Sequence, residues 1–122
     1  MSYVDGMVIP VPKDNLAAYK RMSRQCGKIW LEFGALSYNE CAGDDVKQGK
    51  VTSFPQAVKL KPGEVVVFSW IVYNSRKDRD RIMKKVMSDP RIAKIMDPKH
   101  MPFDGKRMFW GGFKPIVQMP VA

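Results

Sequence analysis

The sequence predicts an α+β fold of the ferredoxin-like kind, βαββαβ, with one antiparallel sheet and both helices on one of its faces. Three observations predict it. Residues 65–73, Val-Val-Val-Phe-Ser-Trp-Ile-Val-Tyr, form an almost unbroken β-branched and aromatic run. Such a run makes a buried strand and is too short to span a bilayer. Two amphipathic helical stretches each follow a strand, and each is followed by a further extended segment. The two β-α-β halves match in kind and are separated by one long insert.

Residues 3–11 are the first strand. Met7, Ile9 and Val11 alternate with Val4, Gly6 and Val8, so both faces are apolar apart from Asp5. Pro10 and Pro12 each lack a donor, so pairing is expected to fade there. Residues 14–33 are a helix, with Leu16, Tyr19, Met22, Cys26, Ile29, Trp30 and Phe33 at steps of three and four. Gly27 inside it signals close packing, and Gly34 stands where a left-handed cap belongs. Residues 36–42 are a second strand of mixed polarity, which suits a sheet edge.

The connection of residues 43–64 is long for a compact domain, and such segments serve as lids, binding loops or arms. Within it, residues 51–60 are expected to form a short strand or a turn around Phe54-Pro55. After the central strand, Asn74 or Ser75 caps a helix that ends at Pro90. Its apolar stripe is Ile82, Met83, Val86 and Met87. Residues 91–96 make a short helix, 97–102 a loop, Asp104-Gly105 a turn, and 106–113 the last strand. Gly111-Gly112 suggests a bulge or close backbone approach. The sheet face away from the helices carries large apolar residues, and a second copy would bury it economically.

The 122 residues amount to one domain's worth of chain, 45% of them hydrophobic, and the formal charge is +9. Between Arg76 and Arg107 there are 11 Lys or Arg and 5 Asp or Glu, a net +6. An anionic partner and a solubilising surface both fit that excess. The N-terminal Met-Ser-Tyr-Val-Asp-Gly has no basic region followed by an apolar run, so no signal peptide is expected and the expected compartment is the cytoplasm. Cys26 and Cys41 are expected to be reduced and largely buried. With no CxxC and no Cys/His cluster, no metal and no cofactor is expected.

Four stretches together resemble one family: Tyr-Val-Asp-Gly-Met-Val-Ile-Pro-Val-Pro (3–12), Gly-Lys-Val-Thr-Ser-Phe-Pro (49–55), Val-Val-Phe-Ser-Trp-Ile-Val-Tyr (66–73) and Met-Pro-Phe-Asp-Gly-Lys-Arg-Met-Phe-Trp-Gly-Gly-Phe (101–113). They are similar to the small bacterial proteins of the domain of unknown function 1428, over nearly the whole chain. The resemblance implies a dimeric α/β barrel, in the superfamily that includes antibiotic-biosynthesis monooxygenases and haem-degrading enzymes. It implies no activity. Some members carry an RNA-related label, for which these residues offer no basis.

The candidate catalytic residues are His100, Asp5 and Glu40. His100 is the one histidine and titrates near neutral pH, but no nucleophile motif accompanies it. Asp5 and Glu40 lie on strands, where an inward carboxylate either takes up a proton or is satisfied by backbone or an arginine. The candidate ligand-binding residues are Trp70, Trp110, Tyr38, Asp104 and Arg107. The tryptophans and tyrosine are flat apolar walls, or else core aromatics. Arg107 can grip a carboxylate or phosphate, or pair with Asp104. The expected pocket lies between the sheet and residues 99–106, under part of 49–60, with His100, Asp104 and Arg107 at one end. The rings sit in apolar runs instead of alternating with Lys and Arg, which is not the nucleic-acid pattern. The reading is a homodimer binding a small aromatic or acidic molecule, with or without cofactor-free turnover. An RNA- or polyanion-binding module and a structural or regulatory dimer are the alternatives.

Overall fold

The computed structural model describes residues 2–120. The strands are β1 (Tyr3–Pro12), β2 (Ser37–Ala42), β3 (Glu64–Tyr73) and β4 (Phe109–Phe113). The helices are α1 (Leu16–Glu32), α2 (Phe54–Ala57), α3 (Arg76–Met87) and α4 (Pro90–Ile95). The sheet order is β2-β3-β1-β4, with every neighbouring pair antiparallel. This is the expected ferredoxin-like arrangement, with β2 at an edge.

Strand parity assigns the two faces. Asp5, Met7, Ile9 and Val11 of β1 stand opposite Ile71, Ser69, Val67 and Val65 of β3. That set meets the helices: Ile71 and Tyr73 pack with Ile29, Trp30, Ile82 and Val86, while Ile9, Val11 and Val67 pack with Tyr19 and Phe103. The alternate set, Val4, Gly6 and Val8 of β1 with Phe68, Trp70 and Val72 of β3, lies on the other face. There a single chain covers only one end, where Val58 packs on Val8 and Val66. The central strand is therefore not enclosed on both sides, and Phe68 stays 43% exposed.

Several expectations shift for identifiable reasons. The two prolines do not end the ladder, since Pro10 pairs with Val66 and Pro12 with Glu64. β4 reaches only from Val4 to Val8, so β1 is an edge at that level and tolerates missing donors. Residues 54–57 are helical because Ser53 caps them, its Oγ accepting from the Gln56 N–H at 3.3 Å, with Pro55 in the first turn. On α3, Ser75 Oγ accepts from the Asp78 N–H at 3.1 Å, and Ile82 and Val86 are buried. Met87 falls off the stripe and is exposed. β4 starts at Phe109, because Arg107 is drawn into an ion pair described below. Gly111 and Gly112 pair regularly with Gly6 and Asp5, so there is no bulge. Close approach is the reason for Gly112: a Cβ there would collide with the Tyr3 hydroxyl and the Arg79 guanidinium. Cys26 is buried on the helix side, whereas Cys41 is exposed on the opposite face, contrary to expectation.

Gly27 is a packing position. A Cβ there would lie 2.7 Å from Tyr38 Cδ1, and the Tyr38 hydroxyl is within 3.1 Å of Ser23 Oγ, which limits its retreat. In an open helix, Gly→Ala stabilises by about 1 kcal/mol. Here the expected sign is reversed: Gly27→Ala should destabilise by about 1–3 kcal/mol through overpacking, measured by urea unfolding. An unchanged or raised midpoint would show that the ring yields freely.

Candidate functional site

The expected pocket between the sheet and residues 99–106 is filled. Phe103 is 9% exposed and sits edge-on to Tyr19, with ring centroids 5.6 Å apart. Met101 and Met108 pack around the same cluster. The tryptophans do not share a wall either. Trp110 pairs with Met7 and so lies on the helix side, while Trp70 pairs with Gly6 and lies on the open face. The two residues belong to opposite parities, which the sequence alone does not relate.

Arg107 is already engaged. Its Nη1 and Nη2 donate to Glu64 Oε1 and Oε2 at 2.7 and 2.6 Å, its Nε to Asp104 Oδ2 at 3.0 Å, and Nη1 also to the Lys59 carbonyl at 3.1 Å. It is a clamp fastening the insert to the segment before β4, not an open anion grip. These hydrogen bonds hold the Glu64 and Asp104 carboxyls below their ordinary values. A carboxyl lowered by folding stabilises above its unfolded value and loses that contribution as pH falls through the folded one. Stability should therefore fall as pH drops below the ordinary glutamate value of 4.5, and Arg107→Ala should flatten that fall. Urea midpoints across pH 3–6 in both proteins test this, and parallel profiles would remove the clamp as its source.

Two buried polar networks occupy the helix side. In the first, the Tyr73 hydroxyl donates to Asp5 Oδ2 at 2.9 Å and accepts from Trp30 Nε1 at 3.1 Å. Arg79 Nε donates to Asp5 Oδ1 at 3.0 Å, and its guanidinium lies over the rings of Tyr3 and Trp110, 5.3 and 5.7 Å from their centroids. In the second, Ser23 Oγ donates to Glu40 Oε2 at 2.8 Å and contacts the Tyr38 hydroxyl. Burial, above all, pushes up the phenols of Tyr19, Tyr38 and Tyr73, with Glu40 or Asp5 adding to it. Burial and then Glu40 push the Cys26 thiol up to about 11. These groups keep their protons at neutral pH, and the Tyr73 hydroxyl is a fixed donor to Asp5. Asp5, Glu40 and Tyr38 are thus parts of satisfied internal networks. His100 ends an exposed turn, Pro98–His100, apart from both.

What the chain does offer is the open sheet face. Phe68 stacks edge-on to Phe54, with centroids 5.9 Å apart, and lies 5.6 Å from Trp70. Phe109 and Phe113 continue the aromatic surface across β4, and the Phe113 ring covers Gly6 and Gly111. No lysine or arginine stands on this face of any of the four strands, and its one charged residue, Glu64 at the start of β3, is held by Arg107. Where the insert meets it, a hollow of about 290 Å³ opens among Cys41, Val46, Phe54, Val66 and Phe68. Sequence reasoning singled out Trp70 here but passed over Phe54, Phe68, Phe109 and Phe113. The period-2 alternation of β3 was the available signal. Among the described residues no helix is long and apolar enough to cross a membrane.

Comparison with known proteins agrees with this fold. The chain is similar to the cofactor-independent oxygenase SnoaB from Streptomyces nogalater, with a TM-score of 0.58 and 10% identity over 98% of each chain. It is similar also to a dimeric ferredoxin-like protein from an uncultured marine organism, with a TM-score of 0.56 and 8% identity over 98% of each chain. At such identities the likeness is one of fold. A much nearer relative is the uncharacterized protein YbaA of Escherichia coli K12, 50% identical over 117 residues, covering 96% of this chain and 98% of that one. The four stretches quoted above fall largely within residues 2–105, which match the model of the protein family of unknown function DUF1428, and the chain belongs to that family.

Proposed function

We propose that the chain works as a homodimer whose two open sheet faces meet, and that this enclosed space receives a small planar apolar or aromatic molecule against Trp70 and Phe68. The observation that carries the reading is the aromatic face itself, with Phe68, Phe109 and Phe113 at 43, 45 and 62% exposure. Area supports it. The chain exposes 8416 Å², whereas a compact monomer of this mass exposes about 6,700 Å². The difference exceeds the ~800 Å² per partner that a standard interface buries. Part of it belongs to the arm after β4, where Ile116 and Met119 are 94 and 84% exposed, an apolar segment suited to wrapping a second copy. A neighbour of the same fold is described as dimeric. A cytoplasmic setting fits two thiols that stand on opposite sides of the sheet and cannot pair.

Asp5 and Glu40 lie on the other side of the sheet in hydrogen-bonded networks and His100 lies on an exposed turn, so the reading is one of binding, with no catalytic step assigned. Light scattering at micromolar concentration should give twice the 13.9 kDa chain mass. A fragment screen by protein-observed NMR should then shift the Trp70 indole and leave Trp110 unmoved. A monodisperse monomer, or fragments confined to the helix side, would overturn the proposal. The polyanion alternative has one observation in its favour, that the strands bring no Lys or Arg to the sheet face and the excess of Lys and Arg therefore lies elsewhere. Binding to generic RNA with a steep salt dependence would support it.

A further inference from the structure

On the side away from the open face, α1 and α4 border a hollow of about 560 Å³. Its lining is Gln25, Lys28 and Ile29 from α1, and Arg91, Lys94 and Ile95 from α4. Ile29 is buried and Ile95 half-buried, so the floor is apolar, while Gln25, Lys28 and Lys94 are exposed along the rim. No carboxylate belongs to the lining. Arg91 is already neutralised: it reaches Glu32 Oε2 at 2.5 Å and Asp89 Oδ2 at 2.8 Å. Lys28 and Lys94 are different, since among the described residues neither takes part in an ion pair. Two lysines without an ion-pair partner thus border the same hollow from neighbouring helices, together with Ile29 and Ile95.

We propose that this hollow binds an amphiphilic carboxylate, its head between Lys28 and Lys94 and its short apolar chain on Ile29 and Ile95. The charge pattern selects an anion, because the lining offers two cations without an ion-pair partner and no carboxylate. The floor selects an apolar body, because seating it removes the ligand's chain and the half-buried Ile95 from water. The Gln25 amide supplies a neutral donor beside the head. A long polyanion would use the rim and ignore the floor. The site is independent of the proposed dimer, since pairing through the open sheet face leaves the helix side accessible.

The test uses the intact protein with isoleucine methyl groups labelled, titrated with octanoate, octan-1-ol and acetate. Octanoate should shift the Ile29 and Ile95 methyls saturably. Octanol and acetate, each carrying half of the required chemistry, should bind at least about tenfold more weakly. The Lys28→Ala/Lys94→Ala double variant should lose about tenfold in octanoate affinity, as expected of two solvent-exposed ion pairs. Both positions are exposed helix surface, so the fold should survive, and an unchanged methyl spectrum checks that. Equal binding of octanol and octanoate, an unaffected double variant, or shifts confined to the open sheet face would each overturn the proposal. So would binding of RNA at the lysines with no methyl shift from octanoate.

Discussion

Arg79→Ala is expected to destabilise the protein by about 3–5 kcal/mol, the usual cost of stranding one member of a buried pair. For a chain of this size that is a fall in Tm of roughly 10–20 °C. The Asp5 side chain is 3% exposed, and Arg79, at 15%, is its cationic partner. Without Arg79, Oδ1 keeps no ionic partner, and the negative charge remains beneath α3 with only the Tyr73 hydroxyl bound to it. The arginine also fills space, its guanidinium lying over Tyr3 and Trp110 and beside Gly112. Asp5→Asn should cost less, about 1–2 kcal/mol, because the unpaired arginine is nearer water and the amide still accepts from Tyr73. Replacing both residues with apolar ones of similar size should recover much of the loss, which separates a stranded charge from lost packing. Urea unfolding of the three variants decides it. A loss below about 1 kcal/mol for Arg79→Ala would mean that water reaches Asp5 in its place.

The fold was legible because its signals are local and repeated. The helical stripe from Leu16 to Trp30, the β-branched run of β3 and the caps at Ser75 and Gly34 each need only a few neighbouring residues to be read. The site was not legible, because it depends on which parity of each strand meets the helices. Trp70 and Trp110 look alike in sequence, and one step of register puts them on opposite faces. Arg107 and Asp104 looked available because their third partner, Glu64, is 43 positions away from the arginine. Phe103, read as loop, turned out to plug the helix-side core because the segment before β4 folds back over Tyr19. Each miss is a long-range pairing, and each removes a residue from the expected pocket. What they leave is the even parity of β3, where Phe68 stands exposed between Phe54 and Trp70.

Phe68→Asp should convert the dimer to a monomer at micromolar concentration, raising the dissociation constant at least about a hundredfold. The ring stands near the middle of the open face, beside Trp70 and opposite Val8. In a face-to-face dimer a carboxylate there loses its water without gaining a partner, because no strand brings a cation to this face. Two-fold symmetry places the change in both subunits, so its cost enters twice. The single chain should tolerate it. Phe68 is already 43% exposed, and its contacts are limited to partly exposed neighbours such as Phe54, so far-UV circular dichroism should match the parent. Lys85→Asp on the opposite side of the molecule is the control, and it should leave the dimer intact. If Phe68→Asp sediments as a dimer with the parent's affinity, the copies meet through some other surface. If the parent itself is a monomer at that concentration, the aromatic face needs a partner other than a second copy.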